Sequence, residues 1–390
     1  MAAIGLFALL AGCARAGGAS AMPGAPFGSS VDALPDGSGY KQIYAFQNGT
    51  DGANPYAGLT ALGGTLYGTT LNGGSPSGWG TIYKIEPSGS ETVMYQFAAG
   101  KDGAHPYGGL TAVGTTLYGT TYQGGTKGSG TVFSITTSGT EKVVYSFQGG
   151  SDGQYPYCRL VDYKGALYGT TYQGGTYPGW GVVFKVDPAT GKESVLYKFK
   201  AGKDGAHPFA GLLVANGQLY GTTYQGGTKG AGTVFSITTA GTEKVLYSFQ
   251  GGYDGQYPFS RLVLSKGVLY GTTYQGGVYP GWGVVFGVTP GGRETVLYRF
   301  LANNDGAHPQ YAGLVAYNGG LYGTTYQGGK YGAGTVFKVD ASGAESVLYS
   351  FKGNSDGLYP YAGLVLAGSV LYGTTTQGGT GVGTVFKISP

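Results

Sequence analysis

The sequence predicts an all-β fold closed into a seven-bladed propeller of four-stranded antiparallel blades, and three observations predict it. Leu-Tyr-Gly-Thr-Thr occurs seven times, with its glycines at Gly68, Gly119, Gly169, Gly221, Gly271, Gly323 and Gly373, spaced 51, 50, 52, 50, 52 and 50 residues apart. A period near 50 belongs to arrays of four-stranded units, and seven such units fall in the range that closes into a ring. The 81 glycines and 17 prolines of the 390 residues recur at fixed offsets, so they mark turns between strands and not low complexity. Finally, the two ends are complementary. The last unit stops after its third strand, near residues 383–389, while residues 40–46 (Tyr-Lys-Gln-Ile-Tyr-Ala-Phe) carry a fourth-strand pattern at Ile43, Tyr44 and Phe46 that belongs to no unit. A ring uses such a split to join its first and last blades and hide the sheet edges.

Within one unit the elements follow from turn residues and period-two alternation. In blade 2 the expected strands are Tyr107 to Val113, Thr116 to Tyr122, Gly130 to Thr136 and Glu141 to Phe147. On the fourth of these Val143, Tyr145 and Phe147 alternate, which places β-branched and aromatic bulk on one face toward a neighbouring blade. Blades 2 and 4 share Lys-Asp-Gly-Ala-His-Pro. Blades 3 and 5 share Asp-Gly-Gln-Tyr-Pro and Tyr-Pro-Gly-Trp-Gly-Val-Val-Phe, so a two-blade unit was the effective step of duplication.

Three regions are expected: a signal peptide over 1–12, a lipidated cysteine and flexible tether over 13–39, and the propeller over 40–390. Ile4 to Leu10 is a short apolar segment followed by Leu10-Ala11-Gly12-Cys13, which resembles a bacterial lipoprotein signal with its lipobox. That resemblance implies cleavage before Cys13, acylation of its sulfur and new amino group, and an exported protein held at the cell envelope. Residues 14–38, rich in Ala, Gly, Ser and Pro, suit a tether. The other cysteine, Cys158, stands where other repeats carry a small residue and is expected to be a small buried side chain.

Leu-Tyr-Gly-Thr-Thr, a Gly-Gly doublet, Gly-Thr-Val-Phe and Glu-x-Val-Leu-Tyr-x-Phe follow one another in blades 4 and 6, and the other units carry close variants. In that order they resemble the bacterial GloVer tandem-repeat family, over about residues 40–390. The resemblance implies a propeller and export with varied anchors, and supplies no activity. A looser similarity to kelch repeats rests on the Gly-Gly doublet and on Trp79, Trp180 and Trp282; four blades lack that Trp.

The chemistry-bearing residues are largely absorbed by the repeat. Seven acids belong to Asp-Gly (Asp51, Asp102, Asp152, Asp204, Asp254, Asp305, Asp356) and six open a fourth strand (Glu91, Glu141, Glu193, Glu243, Glu294, Glu345). Glu86, Asp187 and Asp340 fall in one recurring hairpin turn and Asp32 and Asp36 lie in the tether, which leaves only Asp162 outside this scheme, and general acid–base chemistry needs two carboxyls in unlike environments. The three histidines share one repeat position. The expectation is therefore no enzyme, no catalytic residues, no cofactor and no metal. The net charge of +4 is spread over every repeat with no basic stripe, which argues against nucleic acid.

The loop joining second and third strands and the loop joining one blade to the next leave at the same end, so the Gly-Gly and Asp-Gly-x-x-Pro loops share a face. In the Asp-Gly-x-x-Pro loop Asp is expected to accept backbone hydrogen bonds and Gly to supply positive φ. The residue before each Pro forms a ring of candidate ligand contacts: Asn54, His105, Tyr155, His207, Tyr257, His308 and Tyr359. Such groups suit stacking on sugars or gripping a protein. Trp79, Trp180 and Trp282 are expected to pack between blades, and Arg159 and Arg261 to be solvated on the loop face. The expected function is a monomeric, non-catalytic binding or scaffold module for a glycan or protein at the cell envelope, touching the membrane only through its anchor. The alternative is a carbohydrate-active or other hydrolytic enzyme.

Overall fold

The computed structural model describes residues 39–74, 78–279, 281–311 and 313–390. The expected signal segment and lipidation site, Cys13, lie outside the described residues. Seven four-stranded antiparallel sheets form the blades of the propeller. In blade 1 they run β2 (Thr60–Leu62), β3 (Thr65–Thr70), β4 (Thr81–Ile85) and β5 (Glu91–Gln96), in spatial as in sequence order. The seventh blade is completed by β1 (Lys41–Ala45), which pairs antiparallel with the last strand, Thr384–Ile388.

Four of the five residues of Leu-Tyr-Gly-Thr-Thr have a distinct place in this frame. The leucine is buried in every blade. The glycine sits opposite the central aromatic residue of the third strand, Tyr83 in blade 1 and Phe in the others. A Cβ at Gly68 would lie 2.4 Å from the Tyr83 ring, and one at Gly221 2.6 Å from Phe235, so only glycine admits the ring. The first threonine hydroxyl reaches the next blade: Thr170 donates to the Ala210 carbonyl at 3.1 Å and Thr324 to that of Ala362 at 3.1 Å. The second shapes its own loop. Thr70 Oγ1 donates to the Asn72 carbonyl at 2.8 Å and accepts from the N–H of Thr81 at 3.1 Å.

Blade contacts a neighbour through the aromatic end of the fourth strand. Phe46, Phe97, Phe147, Phe199, Phe249, Phe300 and Phe351 each meet the third-strand aromatic of the next blade edge-to-face, with centroids 5.0–5.3 Å apart. The T-shaped geometry is the one the ring quadrupoles favour. The seventh contact, Phe351 to Phe386, falls within the ring like any other.

The structure corrects the details of two expectations. Ile43 is not the counterpart of Val93. The β1 register places Gln42 opposite Phe386 and Tyr44 opposite Val385, so Ile43 occupies a bulge, as Met94 does in blade 1. An alternating pattern read without the bulge slips by one residue. The innermost strands are also shorter than period-two reading suggests. In blade 2 it is Thr111–Val113, because Tyr107 leaves the sheet and turns toward the propeller axis. Cys158 is buried as expected, and its sulfur accepts from the Thr170 N–H.

Candidate functional site

The Gly-Gly and Asp-Gly loops do share a face, and they are laced together on it. In every blade the residue after Asp-Gly forms a backbone bridge to the second residue after Thr-Thr, as in Ala53 with Asn72 and Gln154 with Gln173. The aspartate is the fastener of the loop. Asp51 accepts from the Gln47 N–H at 2.8 Å, the Gly49 N–H at 3.2 Å and the Tyr44 hydroxyl at 2.9 Å. The following glycine has positive φ, +99° at Gly52, where a Cβ would meet Thr70 Oγ1 at 2.3 Å. These are the roles the sequence assigned to the motif.

The seven residues before proline are all brought together around this face. Each has φ between +54° and +60°, a left-handed conformation in which Asn and His are enriched among non-glycine residues. Each N–H donates to a carbonyl of the preceding blade: His105 to Trp79, Tyr155 to Ser129, His207 to Trp180, Tyr257 to Ala231, His308 to Trp282, Tyr359 to Ala333 and Asn54 to Val382. These partners explain which side chain stands where. A Trp in the preceding blade faces His, with centroids 5.1–5.3 Å apart in a T-shaped contact. A small Ser or Ala leaves room for Tyr. The variation along the ring is thus matched in size across each blade boundary, and Trp79, Trp180 and Trp282 pack between blades.

The histidines are further tied by their Nδ1 atoms, which lie 2.9 Å from the carbonyls of Leu71, Tyr172 and Tyr274. A carbonyl only accepts, so Nδ1 carries the proton. His207 and His308 are buried, and burial lowers their pKa and keeps them neutral. Asn54 makes the corresponding contact, donating from Nδ2 to the Thr376 carbonyl at 2.9 Å. Tyr155, Tyr257 and Tyr359 remain half-buried.

Two aromatic rings that the sequence reading missed form the floor of the face. Tyr56, Tyr107, Tyr157, Phe209, Phe259, Tyr311 and Tyr361 close a complete circle, each centroid 4.7–5.6 Å from the next. Burial pushes the Tyr311 and Tyr361 phenols well above their usual range. Above this circle stand Tyr122, Tyr172, Tyr224, Tyr274 and Tyr326, half-buried, each following Thr-Thr. Tyr122 and Tyr224 stack on Tyr157 and Phe259, at 4.6 and 4.5 Å, and also meet Tyr155 and Tyr257. The aromatic residue one or two positions after each proline was the available signal.

Arg159 and Arg261 are not solvated; both are buried. Arg159 Nε donates to the Leu110 carbonyl at 2.6 Å, and its Nη2 reaches Thr60 Oγ1 and the Leu110 carbonyl, while Arg261 Nε donates to the Leu212 carbonyl at 2.9 Å. Each stands where other blades carry a glycine, and its guanidinium satisfies a carbonyl oxygen of the preceding blade.

The carboxyl groups form a regular series at the blade boundaries. Each Glu opening a fourth strand is half-buried beside the Asp of the preceding loop, and desolvation together with that Asp raises its pKa to about 7. At the seventh boundary Tyr40 occupies the Glu position, stacked on Tyr349 at 3.9 Å and donating to the Asp356 carbonyl. Asp162 lies on the innermost strand of blade 3, Val161–Tyr163, and its pKa is raised by desolvation alone. No cluster of three or more His, Cys, Asp or Glu able to hold a metal occurs among the described residues.

These features define a class: a tandem-repeat β-propeller with a tyrosine-rich loop face. The chain belongs to the Gloeobacter/Verrucomicrobia repeat family, whose model matches residues 9–213, 63–280 and 172–386. No functionally curated protein matches the sequence. Among solved structures, an oligogalacturonate lyase from Vibrio parahaemolyticus is similar at TM-score 0.53 and 11% identity, covering 90% of this chain and 93% of that one. The extracellular domain of a protein described as a hybrid two-component system from B. thetaiotaomicron is similar at TM-score 0.58 and 10% identity, covering 89% and 39%. A puromycin-hydrolyzing peptidase from Mycobacterium tuberculosis is similar at TM-score 0.54 and 11% identity, covering 94% and 55%. At such identities the likeness is one of fold alone.

Proposed function

We propose that this protein is a non-catalytic binding module, exported and lipid-anchored through Cys13, that meets a glycan at the cell envelope through its Asp-Gly/Gly-Gly face. The observation that supports this reading is the tyrosine floor. Five half-buried tyrosines (Tyr122, Tyr172, Tyr224, Tyr274, Tyr326) and three more before proline offer rigid rings around the axis, held from below by a closed aromatic circle. Rings fixed in this way present π faces to sugar C–H groups at little cost in side-chain entropy. The acids and histidines of the face are meanwhile engaged in holding its loops.

The test is a glycan-array screen with Tyr155→Asn, Tyr257→Asn and Tyr359→Asn combined. Asparagine already occupies this left-handed position in blade 1, at Asn54, so the backbone tolerates it. Binding should fall at least tenfold while thermal unfolding stays within a few degrees. Unchanged binding to every glycan captured by the parent protein refutes this use of the face. The anchor is checked separately: Cys13→Ser should abolish incorporation of labelled palmitate and release the protein from membranes.

A further inference from the structure

The tips of the Gly-Gly loops depart from the rest of the propeller. Among the described residues most aromatic rings are packed, yet Tyr177 and Tyr279, two blades apart, are 97% and 95% exposed, and Tyr253 in an Asp-Gly loop is 72% exposed. The second residue after Gly-Gly, which is Tyr177 in blade 3 and Tyr279 in blade 5, is an exposed lysine in blades 2 and 4, Lys127 and Lys229, while blade 6 has Tyr331 there with Lys330 just before it. Lys330 Nζ lies 5.3 Å over the Tyr331 ring. Five consecutive blades thus present an arc of cation, ring, cation, ring and a cation–ring pair. The arc stops at blade 7, whose loop has Gly381 at that place. Blade geometry spaces these tips evenly around the rim, outside the tyrosine floor.

Tyrosine rings this exposed can lie flat against the apolar face of a sugar. Rings alone suit a neutral sugar chain. Lysines alone, in a dense stripe, suit a nucleic acid or a heavily sulfated polymer, whose charge density needs many cations in contact. Here one cation alternates with one ring. The same face also carries the Asp-Gly aspartates, which repel a dense polyanion. The matching partner is a linear glycan that carries carboxylates and apolar sugar faces at a charge density below that of a nucleic acid or a sulfated polymer.

We propose that the arc of Lys127, Tyr177, Lys229, Tyr279, Lys330 and Tyr331 binds a linear uronic-acid polysaccharide. Lysine ammonium groups meet its carboxylates and tyrosine rings stack on the intervening sugar faces. The proposal rests on the glycan-binding reading above and narrows it to one chemical class and to residues outside the floor.

The test uses the full chain in detergent with three polymers: polygalacturonate, the same polymer after its carboxyls are reduced to alcohols, and chondroitin sulfate. Binding is measured by biolayer interferometry at two salt concentrations. Polygalacturonate should bind at least tenfold more tightly than its reduced form and weaken as salt is raised. Lys127→Gln with Lys229→Gln should remove most of that salt dependence. Tyr177→Ser with Tyr279→Ser should weaken binding about tenfold and leave the salt dependence in place. All four positions are exposed, so thermal unfolding should not move. Equal binding of parent and reduced polymers, unaltered binding by both variants, or tighter binding of chondroitin sulfate overturns the inference and leaves glycan binding standing. Absence of binding to these polymers and to every neutral glycan on the array overturns both.

Discussion

The six carboxyl pairs at the blade boundaries make stability depend on pH in a direction opposite to that of a salt-bridged protein. Glu141 is representative: it is half-buried, with Asp102 and Tyr95 around it, and desolvation followed by Asp102 raises its pKa from 4.5 to about 7. In the unfolded chain the same carboxyl titrates near its ordinary value. Between those pH values the folded state binds more protons than the unfolded one, so stability falls as pH rises through the window. Below about pH 4.5 both states are protonated and nothing is lost; above 7 the full penalty is present. A shift of this size would correspond to roughly 3 kcal/mol in a group sealed from water, and screening at a half-buried site reduces it to about 1 kcal/mol. Glu141→Gln should therefore stabilise the protein by about 1 kcal/mol at pH 8 and by less than about 0.3 kcal/mol at pH 5. The assay is urea denaturation at the two pH values. Combining the substitution at all six positions should flatten the decline of the midpoint between pH 5 and 8. A Glu141→Gln variant that is destabilised at pH 8, or shifted equally at both pH values, refutes the assignment of a penalised carboxyl.

Two further outcomes test the packing. Trp180→Ala should cost about 3 kcal/mol by opening a cavity beside His207, and adding His207→Tyr should recover at least about 1 kcal/mol, because the pair then copies Ala231 with Tyr257; denaturation of the single and double variants measures the coupling. Gly221→Ala forces a Cβ to 2.6 Å from the Phe235 ring and should destabilise by about 1–3 kcal/mol in the same assay, whereas Gly230→Ala, with open space around it but φ of +74°, should cost about 1 kcal/mol.

The blade count, the strand complement and the ring closure were legible in the sequence because each is a property of period. Seven Leu-Tyr-Gly-Thr-Thr copies and one orphan fourth strand leave few alternatives. The loop roles of the Asp-Gly motif were legible too, since its residue types carry their own turn chemistry. The bulge at Ile43 was not, because a bulge breaks the alternation by which register is read. Nor was the burial of Arg159 and Arg261: a charged residue replacing glycine reads as surface until the carbonyl oxygens that the preceding blade sets beside it are seen.

The ring before proline shows where the two kinds of information divide. By itself, the sequence determined that seven loops gather on one face and that Asn, His and Tyr alternate there. Only the tertiary structure showed that each of these residues faces the end of the preceding blade's loop, so that Trp selects His and Ser or Ala admits Tyr. It also showed that the tyrosines after Thr-Thr stand over a closed aromatic circle. These pairings join residues about half a repeat apart across a blade boundary. Periodicity in the chain fixes what recurs, while the contact between two different recurring positions depends on how one blade is set against the next.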